Sequence, residues 1–183
     1  PCVLLMQMPL PRSLQAEGAE DSFIRTLSQV QDDLRRDYVT GAYNAVYLNE
    51  QYRPIAERAA MSGTPVGVVM VRVNEYWQLR EHENDSAANC CLNMAAGILQ
   101  LAVGPDHDKA VLARLNDGFF AIVTIGTPAA RMAQIVREAM NDSRREFNIS
   151  LSRRGSFTVE IASAEWGETA SWDMTLSLAQ QRL

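Results

Sequence analysis

Residues 65–73 read PVGVVMVRV, a run of valine and methionine interrupted by Gly67 and, near its end, by Arg72. A strand with one wet face alternates apolar and polar residues, because successive Cβ atoms point to opposite sides of the sheet. A run that does not alternate is a strand covered on both faces, and its β-branched residues favour an extended backbone. This segment therefore belongs at the centre of a sheet. The rest of the chain must supply strands along its edges and a layer over each face.

The surrounding pattern supplies both. Residues 112–123, LARLNDGFFAIV, are two apolar runs pinched around Asn116, Asp117 and Gly118, which predicts strands over 110–115 and 119–125 joined by a tight hairpin turn. After a short polar helix, Asp85 or Ser86 can cap a long helix through Val103. Its apolar residues (Cys90, Cys91, Leu92, Met94, Ile98, Leu99, Leu101) lie almost all round it and predict deep packing. Further helices are expected over 44–60, closed by Gly63 and Pro65, over 128–141, and from Ser171; strands are expected near 147–153 and 157–163. From residue 65 the order is strand, helix, strand, strand, helix, strand, with an additional strand and a closing helix. This is the split βαβ arrangement of a ferredoxin-like α+β domain: a central antiparallel-to-mixed sheet of about five strands flanked by helices.

Upstream, Phe23, Leu27, Val30 and Leu34 recur at alternating four- and three-residue intervals and form one stripe of a helix running from Ala19 to about Tyr38. Two readings stand open, a helix lying on its own domain and the seam of a two-stranded stalk. Residues 1–19 read as an extension or linker, and 20–183 as the domain with its stalk helix.

Composition narrows the function. A chain of 183 residues is long enough for one domain that buries roughly 70% of its unfolded surface. No apolar run approaches the roughly 20 residues that span a bilayer, so a soluble segment is expected. The chain starts at Pro1, and its apolar run at 3–8 is too short for a signal core, which suggests a piece of a larger protein. A net charge of −5 argues against a nucleic-acid surface. Cys2, Cys90 and Cys91 make neither a disulfide framework nor a zinc spacing, and a reducing cytoplasm fits them, with membrane anchorage through another part of the protein left open. His82 and His107 have no Cys or His partner at ligand spacing. Lys109, the single lysine, lies outside any Gly-rich phosphate loop, and there is no GxSxG.

Four features then coincide in order: DYVTGAYN at 37–44 opening a helix, a buried strand ending in VRVNEYWQL, a long apolar helix, and the hairpin ARLNDGFFAIV. In this order and spacing the chain resembles, over about residues 20–182, the GGDEF family, the diguanylate cyclase domains that condense GTP into cyclic di-GMP. The family opens on a motif similar to Asp-x-Leu-Thr-Gly-Leu-x-Asn-Arg. Asp37, Thr40, Gly41 and Asn44 match it, while Val39 and Ala42 stand for the leucines and Ala45 for the arginine. These retained residues also suit a plain bracing of a helix start.

The resemblance implies that the central strand should end in Asp-x-Asp and help to hold metal ions; here those positions are Arg72 and Asn74. Gly-Gly-Asp-Glu-Phe aligns with Asn116, Asp117, Gly118, Phe119 and Phe120, so the metal-binding glutamate position holds Phe119. The positions implied for guanine recognition are Arg80 and Asn89. The inhibition motif Arg-x-x-Asp falls on His107, Asp108, Lys109 and Ala110 and is absent. By Coulomb's law the unit charge of an arginine about 4 Å from a divalent ion, at an effective dielectric near 20, costs on the order of 8 kcal/mol, so the swap reverses the sign of the site.

The expectation is a catalytically inactive GGDEF-like domain of a bacterial cyclic di-GMP signalling protein, with no catalytic residue, no metal and no cofactor; magnesium and GTP would enter only if that reading is wrong. It would act through a protein partner or through self-association of its first helix, under an upstream sensor or membrane domain. Two alternatives stay open. One is a sensor of GTP or cyclic di-GMP in which Arg72, Arg80 and Arg114 gather on phosphate. The other is a residual cyclase or nucleotide hydrolase using displaced carboxylates such as Asp117 and Glu75. An ion pair between Arg72 and Asp117 is expected to fill the metal position. Trp77, Trp166 and Trp172 read as core or interface anchors, and Glu81, Glu83 and Asp85 as a solvated loop.

Overall fold

The structure, a computed structural model, describes residues 12–105, 109–150 and 157–183. The chain divides into two compact units, residues 1–34 and 35–183. The first contains helix α1 (Arg12–Leu34), on which Phe23, Ile24, Leu27, Val30 and Leu34 are all exposed, Leu34 at 74%. The helix begins earlier and ends sooner than the stripe predicts. Beyond Leu34 the Asp37 side chain accepts from the Thr40 backbone, and such a local bond favours a turn over another helical residue.

The second unit is a five-stranded sheet ordered β1-β3-β4-β2-β5, with β1 (Tyr43–Asn44), β2 (Val66–Val73), β3 (Ala110–Asn116), β4 (Phe119–Ile125) and β5 (Val159–Glu165). Among the described strands only β1 and β3 run parallel. β2 lies between β4 and β5 and is covered on both sides, as its sequence requires. Val69, Val71 and Val73 pack with α5 (Asp85–Val103) and α6 (Ala129–Ser150). Val66, Val68 and Met70 face α3 (Arg53–Met61) and α7 (Trp172–Gln181), where Ala56, Trp172 and Ala179 are fully buried. Each valine buried this way contributes on the order of 2 kcal/mol. Gly67 is required in β2 because a Cβ there would lie 2.5 Å from that of Ala129, where α6 begins. The α6 terminus is closed by Glu165 Oε1, which accepts from the Ala129 amide.

Three expectations are corrected. The helix over 44–60 is broken into α2 (Ala45–Tyr47), a π-helical stretch (Leu48–Tyr52) and α3. Pro54 explains it, since a proline ring crowds the carbonyl of the preceding turn and a wider turn relieves the crowding. α5 is buried on one face, through Ala88, Cys91, Leu92, Ala95, Ala96, Ile98 and Leu99, while Leu101 is 84% exposed. By length and composition it could cross a membrane, but here it is a core helix. α6 runs on to Ser150 and takes in residues 147–150 of the strand expected over 147–153; the remainder lies outside the described residues. No glycine or proline interrupts the chain between Pro128 and Gly155, so nothing local stops this helix at 141.

β5 has β2 as its only strand partner among the described residues. Its main chain is not bare: Arg137 donates to the Ile161 carbonyl at 3.1 Å and Arg182 to that of Ser163 at 2.7 Å.

Candidate functional site: the turn at 37–44 and the end of the central strand

The turn at 37–44 is built around one carboxylate. Asp37 Oδ1 accepts from the Thr40 amide at 2.9 Å and from its hydroxyl at 2.7 Å, and Arg114 Nη1 lies 3.1 Å from both Asp37 oxygens. The side chains are only 13% (Arg114) and 16% (Asp37) exposed. Burial pushes the Asp37 carboxyl up, but the bonds from Thr40 and Arg114 outweigh it and hold the group below the usual carboxylate range. Gly41 supplies the left-handed backbone, φ +67°, that lets the chain reverse. Arg36 crosses the turn to donate to the Gly41 carbonyl, and Asn44 Oδ1 caps the next helix at the Tyr47 amide, 2.8 Å away. The matched residues Asp37, Thr40, Gly41 and Asn44 thus all have structural work in one turn.

The same arginine ties this turn to the hairpin. Arg114 Nε donates to the Asp117 carbonyl at 3.3 Å. A bulge at Leu115 shifts the register, so that Asn116 faces Phe119 and Asp117 and Gly118 form a two-residue loop. Asp117 takes the positive φ of +32°. Gly118 is needed for space instead: a Cβ there would lie 3.0 Å from both the Val73 carbonyl oxygen and Tyr76 Cβ, and the Gly118 carbonyl accepts from the Val73 amide at 2.9 Å. The hairpin tip is therefore fastened beneath the corner where β2 ends.

At that corner Arg72 pairs with Glu160 on β5, its directly opposed residue, and Arg72 Nε lies 3.3 Å from Asn74 Oδ1. Asn74 donates to the Thr158 hydroxyl at 3.1 Å. Thr158 in turn donates through its amide and its hydroxyl to Glu75, each at 2.7 Å. The expected Arg72–Asp117 pair is not formed. Strand register sets Glu160 across from Arg72, while Asp117 is met by Arg80 of α4 (Tyr76–His82) at 3.5 Å. Arg80 also pairs with Asp85 at 3.2 Å and its guanidinium carbon lies 5.5 Å from the centre of the Trp77 ring. Because Glu160 neutralises Arg72, the repulsion calculated for an unpaired arginine overstates the case. The position offers a cation neither a free carboxylate nor the full repulsion.

Arg72, Val73, Asn74, Trp77, Gly118, Phe119 and Glu160 line a cleft of about 390 Å³. Asn116 is exposed at the tip, and Asn89 is half-buried on α5. Among the described residues no three His, Cys, Asp or Glu side chains gather in a way that could hold a metal ion. Of the carboxylates weighed for a displaced site, Glu75 is engaged by Thr158 and Asp117 by Arg80. Cys91 is buried, which pushes its thiol up to about 12, with the charges of Glu75 and Cys90 acting in the same direction; it stays a neutral core residue. His107 and Asp108, at the position where the inhibition motif would fall, lie outside the described residues. Sequence reading missed Glu160 and Thr158. A charged residue in the middle of an otherwise apolar strand, TVEIA at 158–162, was the signal that could have found Glu160.

The family model described as diguanylate cyclase, GGDEF domain matches residues 34–183. The chain belongs to the GGDEF family. Among solved structures, that of the coiled coil and GGDEF domain of DgcB from Caulobacter crescentus, in complex with c-di-GMP, is 18% identical with a TM-score of 0.78, covering 93% of this chain and 89% of that one. The FimX GGDEF domain from Pseudomonas aeruginosa is 21% identical, with a TM-score of 0.67 over 81% of this chain and 90% of that one. The diguanylate cyclase SiaD of Pseudomonas aeruginosa, solved with its activator SiaC, is 17% identical, with a TM-score of 0.69 over 93% of this chain and 65% of that one. At such identities the likeness is one of fold, and the mixed five-stranded sheet expected from the sequence is the GGDEF fold. In this GGDEF domain the residues expected to form the opening motif build the Asp37 turn, and the hairpin expected to carry the family signature closes in the Asp117–Gly118 loop.

Proposed function

We propose that this GGDEF domain does not cyclise GTP and works as a regulatory module of cyclic di-GMP signalling, through contacts with proteins. The observation that carries the reading is the Arg72–Glu160 pair at the end of β2, where the family's metal-binding Asp-x-Asp would stand, with Phe119 in place of the hairpin glutamate. Two-metal phosphoryl transfer needs carboxylates that bind divalent ions and so stabilise the attacking and leaving oxygens. A guanidinium held by the nearest carboxylate supplies no such ligand. The arginines that could have met a phosphate are likewise engaged, Arg72 by Glu160, Arg80 by Asp85 and Asp117, and Arg114 by Asp37. This favours protein contact over nucleotide sensing.

The first helix is the natural contact element. Its exposed stripe of Phe23, Leu27, Val30 and Leu34 has the spacing of a two-stranded seam, and the DgcB structure joins a coiled coil to its GGDEF domain. The proposal takes the domain to work in the cytoplasm, where Cys90 and Cys91 stay reduced. The purified chain incubated with GTP and either magnesium or manganese is expected to yield no cyclic di-GMP by chromatography. Cyclic di-GMP product would overturn the proposal, and its loss in Asp117→Ala would assign the turnover to a displaced catalytic site.

A further inference from the structure

The cleft at the end of β2 opens onto a surface with one aromatic anchor and a surplus of negative charge. Trp77 is 47% exposed on α4, edge-on to Tyr76 with ring centres 5.5 Å apart, and it walls the cleft together with Phe119. Tryptophan carries a large apolar area and is enriched where one protein anchors on another. Helical spacing sets Glu81 one turn from Trp77 on the same face. Glu83 follows at the helix end, Asp85 is 78% exposed at the start of α5, Asp117 stands at the hairpin tip and Glu160 lies across the cleft. Against these five carboxylates stand Arg72 and Arg80, each paired with members of the set, Arg114 behind the hairpin tip, paired with Asp37, and the exposed His82. Neither Glu81 nor Glu83 is ion-paired among the described residues. The guanidinium of Arg80 over Trp77 shows that the indole face accepts a cation at this spot.

We propose that this face, centred on Trp77 and Phe119 and rimmed by Glu81, Glu83 and Asp85, docks a basic segment of a protein partner. A lysine or arginine of that segment meets the carboxylates beside Trp77, whose ring Arg80 already covers, and an apolar neighbour enters the cleft beside Phe119 and the indole edge. Charge complementarity selects the occupant: a triphosphate would meet the carboxylate rim with like charge, whereas a basic peptide is steered towards it. The inference rests on the inactive reading, because a cleft that turned over GTP would have to hold the triphosphate in the same place.

The test is selection of peptides from a random phage-displayed library on the immobilised full chain at low salt. The expected peptides are basic, with at least one aliphatic or aromatic residue. Synthetic versions should bind about tenfold or more weakly to Trp77→Ala and to the Glu81→Lys/Glu83→Lys variant. Binding should weaken as salt rises from about 0.05 to about 0.5 M. All three positions are exposed, and circular dichroism on the variants confirms that any loss is not unfolding. Neutral or acidic peptides, no enrichment, or equal binding to Trp77→Ala would overturn the proposal while leaving the inactive reading standing. Sedimentation that finds Trp77-dependent self-association would overturn it too, by assigning the face to a second copy. Cyclic di-GMP production in the turnover assay would instead defeat the inactive reading and, with it, the premise of this one.

Discussion

The turn at 37–44 and the corner at 72–75 lie on one domain and both centre on an arginine–carboxylate pair, yet they differ in depth and in what the pair does. Asp37 and Arg114 are largely shut away from water, and their bonds fix a turn, a β-hairpin and a helix start together. Arg72 and Glu160 are each about two-fifths exposed and close the end of a cleft. The first kind of pair is costly to break because a buried charge is left unpaired, whereas the second is screened and worth little to stability. The two regions therefore carry very different stakes for folding.

The largest effect that tests this contrast is Asp37→Ala. It strands Arg114 at low exposure and should cost about 2–4 kcal/mol, lowering Tm by about 5–15 °C. A loss no larger than that of a surface pair would erase the distinction between the two regions. The pH dependence follows the same residue: with its folded value below the unfolded one, Asp37 contributes in full above about pH 4, and the contribution fades as pH falls through the folded value. Urea melts of wild type and Asp37→Asn across that range should converge at the acid end.

Gly118→Ala comes next. A new Cβ 3.0 Å from Val73 O and Tyr76 Cβ meets backbone on one side, and a cost of about 1–3 kcal/mol is expected in chemical denaturation, as for other overpacked sites. The smallest effect belongs to Glu160→Gln, expected to change stability by less than about 1 kcal/mol. A large loss there would mean that the corner is a second anchor instead of a replaceable lining.

Much of the architecture was legible because it depends on local pattern. PVGVVMVRV required two covered faces and received them, and Asn116–Gly118 specified a hairpin whose two-residue loop is Asp117–Gly118. The Asp37 motif also read correctly as the brace of a helix start. What sequence reading missed depends on register or on a distant neighbour. The partner of Arg72 lies 88 positions away and is chosen by how β5 slides against β2, information that no local spacing contains. Likewise α5 looked apolar all round, yet only the placement of α6 and the sheet determines which face is buried. The widened turn at Leu48–Tyr52 was within reach, since Pro54 stands in plain view inside an expected helix.

The two arginine caps on β5 bear on how this domain behaves at high concentration. A sheet rim with bare acceptors invites any extended chain to zip onto it, and fibrous growth begins that way. Here Arg137 of α6 and Arg182, just past the end of α7, each lend a guanidinium to an acceptor on that rim, so an incoming strand must first strip away two existing bonds.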